Sequence, residues 1–70
     1  MASTYTAIVQ QRQDWWIGWI EEVPGVNAQE LTKDSLMASL KEILKEALEM
    51  NREEARANVP GDYTEEFVTV

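Results

Sequence analysis

The sequence predicts an α+β domain, a small antiparallel sheet in the order ββ(β)αβ with one long amphipathic helix packed on one of its faces. Three observations predict it. Two β-forming stretches, Tyr5 to Gln10 and Trp15 to Ile20, flank the polar cluster Gln10-Gln11-Arg12-Gln13-Asp14, which is the pattern of a hairpin. Downstream, Leu36, Leu40, Ile43, Leu44, Ala47 and Leu48 recur on a helical period and mark one apolar face. Pro24-Gly25 and Pro60-Gly61 punctuate the chain on either side of that helix.

Each element has a local reason. The hairpin turn contains no Asn-Gly or Asp-Gly pair, so its type and the strand register stay open. Pro24 cannot donate to a sheet ladder, which makes Glu21 to Gly25 a loop, and Val26 to Leu31 is a short candidate third strand. The helix opens near Thr32, whose hydroxyl can cap the free amides of the first turn, with Asp34 close to the positive end of the dipole. Its solvated face carries Lys41, Glu42, Lys45, Glu46 and Glu49, where opposite charges at helical spacing contribute about 0.2–0.5 kcal/mol per pair. Beyond Leu48 the apolar pattern thins to Met50, Ala55 and Ala57, and Asn58-Val59-Pro60-Gly61 stops the helix. Thr64, Glu66, Val68 and Val70 alternate with Glu65, Phe67 and Thr69, and this reads as a final strand.

Seventy residues make a single domain, 1–70. A domain of this size buries only about 60% of the surface its unfolded chain exposes. The core is therefore marginal, and with no cysteine and no histidine the chain has neither a disulfide nor the usual ligands of a structural metal to reinforce it. Association with another chain is the remaining route, so a homo-oligomer is expected. The net charge of −7, from thirteen acidic and six basic residues, repels a phosphate backbone and argues against direct nucleic-acid binding. The same charge draws a basic protein partner, and it also serves plain solubility. No apolar run reaches the roughly 20 residues of a membrane span, and Met1-Ala2-Ser3-Thr4 does not open a signal peptide. The absence of cysteine fits a reducing compartment, and a cytoplasmic protein is expected.

The second strand is the unusual feature. Its two faces are Trp15, Ile17, Trp19 and Trp16, Gly18, Ile20, and both are apolar. One helix covers one face of a small sheet, whereas strands hydrophobic on both faces belong to sheets covered on both. Gly18 assigns the faces, because a residue without a side chain lets a helix approach closely. Trp16, Gly18 and Ile20 are expected under the helix, and Trp15, Ile17 and Trp19 on the outer side. An aromatic cluster there is an expected protein interface, with Glu21 and Glu22 beside it. The alternative is that the terminal segment or the helix extension folds back over it.

Catalysis is not expected. The chain offers no histidine base, no cysteine nucleophile and no Gly-rich phosphate loop, and Ser3, Ser35 and Ser39 have no evident activating partner. In the pairs Glu21-Glu22, Glu53-Glu54 and Glu65-Glu66, adjacent side chains diverge on a strand or a helix, so they read as solvated charges and not as a cation site. No cofactor is expected.

The run Trp16-Ile17-Gly18-Trp19-Ile20-Glu21-Glu22-Val23-Pro24-Gly25-Val26, leading through Thr32 and Asp34 into an amphipathic helix, resembles the HicB family of type II antitoxins over most of the chain. It departs from the family at Glu21, where proline is common, at Val26, where cysteine or a small residue is common, and near Glu30, where glycine is common. The resemblance implies a partial RNase H-like fold without nuclease activity, and the first strand indeed lacks the carboxylate that such chemistry needs. It implies a partner too, a small basic HicA-type toxin that cleaves mRNA and is neutralised by occlusion. Many family members add a C-terminal DNA-binding module, for which residues 1–70 leave no room after the sheet. Two other readings stand beside this one: a homo-oligomeric domain of the same fold without a toxin, and a subunit that regulates an enzyme or assembly by contact.

Overall fold

The computed structural model describes residues 4–69. Along the chain run β1 (Ala7–Arg12), β2 (Trp15–Ile20), β3 (Asn27–Glu30) and α1 (Lys33–Ala57). The strands form one antiparallel sheet in the order β1-β2-β3, with the tryptophan-rich strand in the centre. An α+β arrangement of antiparallel strands followed by one long helix is therefore what the sequence encodes.

β1 runs two residues beyond Gln10 because the turn is shorter than the polar cluster suggests. Gln13 and Asp14 alone connect the strands, and the ladder closes with Arg12 opposite Trp15. Gln13 has φ 57° and Asp14 no positive φ, the pattern of a type II′ turn, whose first position favours glycine. Between β2 and β3 the chain turns through Gly25, at φ 89°, and the Ile20 N–H donates to the Val26 carbonyl at 3.0 Å. That bond brings Val26 into the core.

The start of α1 follows the sequence signals. Thr32 is extended, at φ −130° and ψ 155°, and its hydroxyl accepts from the Ser35 N–H at 3.1 Å. Asp34 stands in the first turn and Arg56 in the last, each at the end of the dipole that suits its charge. Ser39 does more than bond locally: its hydroxyl donates to the Glu30 carboxylate at 2.9 Å and ties the helix to β3.

Ile20, Val26, Leu36 and Leu40 are the fully buried core, ringed by half-buried residues that include Trp16, Ala28, Ile43 and Leu44. Burial of each such aliphatic side chain contributes about 1.5–3 kcal/mol. The helix lies over β2 and β3 and leaves the flank of β1 less covered. Gly18 permits this approach. A Cβ there would stand 3.0 Å from the Ile8 carbonyl oxygen, 3.1 Å from Leu40 Cδ1 and 3.2 Å from Leu36 Cδ2.

The molecule is elongated, with a radius of gyration of 15.4 Å and extents of 52 × 23 × 15 Å. A compact chain of this length has a radius of about 11 Å. The helix accounts for the difference. Ala47 is the last helical residue that packs on the core, and the turns from there to Ala57 project about 15 Å further.

The expected C-terminal strand is not formed. Residues 59–69 carry no regular structure and are exposed throughout, and Val70, which belonged to that expectation, lies outside the described residues. Alternation gives a segment the capacity to pair, but these residues lie off the sheet, beside the end of the projecting helix. The segment turns at Gly61, with φ 84°, and is held at the helix end by Arg56, whose Nε donates to Glu65 Oε1 at 3.0 Å.

Candidate protein interface

The alternation of β2 divides its aromatic residues between the two faces as the position of Gly18 requires. Trp16 packs against the core with Gly18 and Ile20, while Trp15, Ile17 and Trp19 line the opposite face. Trp15 and Trp19 remain 42% and 41% exposed, and Ile17 is half-buried. Neither the helix extension nor the described part of the tail covers this side, so the fold-back alternative does not occur.

Register sets what surrounds the three residues. Ile8 stands beside Trp19, Gln10 beside Ile17 and Arg12 beside Trp15 on β1, while Asn27 and Gln29 flank Trp19 and Ile17 on β3. The result is an apolar spine on the central strand, widened by Ile8 beside Trp19 and otherwise flanked by polar residues, the arrangement of an interface core inside its rim. Trp15 lies beyond the last β3 pairing, and next to it a shallow depression is lined by Arg12, Gln13, Trp15, Ile17 and Gln29. Ile8 and Arg12 were not legible as parts of this face, because their membership depends on a register that the two-residue turn fixes.

The acidic residues expected beside the aromatics take different roles. The Glu21 N–H donates to the Thr6 carbonyl at 2.9 Å, which extends the ladder one step and leaves Glu21 following Trp19 on the outer side by alternation. Glu22 is engaged within the fold: its Oε1 accepts from the Thr6 N–H at 2.7 Å, and this bond from the backbone holds its carboxyl below the usual pKa. Glu22 thus pins the entrance of β1 to the β2–β3 loop. Within the strands, Arg12 is the one charged residue of the outer face, and most acidic residues lie on α1, across the sheet, and on the segment that follows it.

Among the described residues no group of three acids, histidines or cysteines is placed to hold a metal ion. No helix is long and apolar enough to cross a membrane. Comparison with protein families, with curated proteins and with solved structures found no match for this chain.

Proposed function

We propose that this chain is an antitoxin-like protein-binding domain, which neutralises a small basic mRNA-cleaving toxin of the HicA type by covering it with the outer face of its sheet. The observation that carries this reading is the uncovered line of Trp15, Ile17 and Trp19 on the central strand. Tryptophan is enriched among the residues that dominate binding energy, and its burial requires a partner when the chain itself supplies no cover. The net charge of −7 speeds encounter with a basic protein, and the neutral spine then needs little desolvation of charge on docking. The likeness of residues 16–26 and of the Thr32 helix start to the HicB family gives the partner its class.

The test is co-expression with the small basic protein encoded beside this chain, followed by titration of the purified pair. Binding at micromolar concentration or tighter, lost in Trp15→Ala/Trp19→Ala and accompanied by loss of mRNA cleavage, supports the reading. Retained binding in that variant, or none by the native chain, removes it.

A further inference from the structure

The apolar line on the outer face reads the same in both directions. Trp15 and Trp19 stand two residues to either side of Ile17, and the two indoles are exposed almost equally, at 42% and 41%. Level with Ile17 are Gln10 on β1 and Gln29 on β3, so an amide flanks the centre of the line on each side.

Charge on this face is arranged about the same centre. Arg12 lies level with Trp15 at one end, and its Nε donates to Gln10 Oε1 at 3.1 Å, which holds the guanidinium along the face. Neither Asp14 of the turn nor any other described carboxylate forms an ion pair with it. Glu21 follows Trp19 at the other end. A face with a cation at one end, an anion at the other and an apolar palindrome between them is complementary to its own copy turned end for end. A uniformly charged surface matches only one of the two ends.

The net charge of −7 does not oppose such a pairing. Most acidic residues lie on α1 and on the segment after it, and α1 packs on the other face of the sheet. Stacked sheets sit about 10 Å apart. Two copies joined by their outer faces carry their helices on the far sides, separated by well over the Debye length of about 8 Å at physiological salt. The face is three strands wide and six residues long, about 14 by 20 Å from the spacing of strands and residues. Two such faces make a contact at the small end of specific interfaces, which holds a weak, concentration-dependent pair.

We infer that two copies of this chain pair by stacking their outer sheet faces, about a two-fold axis that passes at Ile17 and runs across the strands. Ile17 then meets Ile17 of the second copy, Trp15 packs on its Trp19, and Arg12 approaches its Glu21. Gln10 and Gln29 each face their own equivalents, which suits an amide because it carries both donors and an acceptor. Such an isologous contact closes as a dimer and buries the indoles without a foreign protein. The pairing stands on this face alone and does not depend on a toxin. It occupies the surface assigned to one, so the dimer and a toxin complex exclude each other.

Sedimentation equilibrium between about 1 µM and 1 mM, with helical circular dichroism as the check on folding, reads the outcome. The native chain is expected to pass from monomer to dimer across that range. Arg12→Glu and Glu21→Arg each set like charges together at both ends of the contact. Each alone is expected to raise the dimer dissociation constant by about tenfold or more with unchanged dichroism, since both side chains are exposed. An equal mixture of the two variants is expected to restore the native constant, because each supplies the charge that the other lacks. Net charge by itself predicts the opposite for Glu21→Arg, which lessens the repulsion between acidic chains. A native chain monomeric throughout the range, a Glu21→Arg variant that pairs as well as the native chain, or a mixture no tighter than its components would overturn the inference. Dimerisation of a chain that binds no basic protein would support it while removing the toxin reading.

Discussion

Gly18 and Leu40 meet so closely that a Cβ on Gly18 would stand 3.1 Å from Leu40 Cδ1. The single glycine of β2 therefore sets which side of the strand the helix covers, and with it which tryptophans stay uncovered. In Gly18→Ala the added methyl meets the Ile8 carbonyl of the ladder at 3.0 Å as well as two leucine tips. A loss of about 1–3 kcal/mol is expected from this overpacking. Urea denaturation checks it, and an unchanged midpoint would show that the helix is not seated on Gly18.

Gln13 occupies the positive-φ position of the hairpin turn without being glycine. Gln13→Gly removes the strain of a side chain held in that region and is expected to stabilise the fold by about 1 kcal/mol. For a domain of this size that corresponds to a rise in Tm of about 4–8 °C. A fall in Tm would mean that the turn is not the two-residue connection described.

The Thr32 cap gives a third expectation. Thr32→Ala frees the Ser35 N–H and should cost about 1 kcal/mol, whereas Thr32→Ser should cost little. Thermal melts of the two variants separate the hydroxyl from the methyl, and equal losses in both would count against the cap.

Glu22 makes stability depend on pH. Its carboxyl is held below the usual value in the folded chain by the Thr6 N–H, so the folded state favours the ionised form. The contribution is complete above the unfolded carboxylate pKa and is lost as pH falls through the lower folded value. Glu22→Gln is expected to flatten the acid limb of the stability curve and to leave the curve's shape at neutral pH unchanged. An acid limb identical in both proteins would assign that dependence to other carboxylates.

Much of this architecture is legible in the sequence, and the parts that are not share a cause. The 3.6-residue period of Leu36 to Ala47, the Thr32 cap and the stop at Asn58 are local signals, and the helix follows them. The assignment of Trp16 and Trp19 to opposite faces follows from strand alternation with Gly18 as the reference point. The extension of β1 to Arg12 is hidden because Gln13 adopts a turn conformation that its residue type disfavours. The fate of Thr64 to Thr69 is hidden for a different reason: alternation reports the capacity to pair, and says nothing of the bond from Arg56 that holds Glu65 at the helix end. Glu22 was legible as an acid near the aromatic face, but its bond to Thr6 joins residues sixteen positions apart and depends on the fold of the loop.

The claim that the outer sheet face binds another protein is tested most directly by the indole N–H resonances of the three tryptophans during titration with the basic partner. The expected result is that Trp15 and Trp19 shift and saturate together while Trp16, packed beneath the helix, stays in place. Saturable binding that moves Trp16 or the helix and leaves Trp15 and Trp19 unperturbed would contradict it.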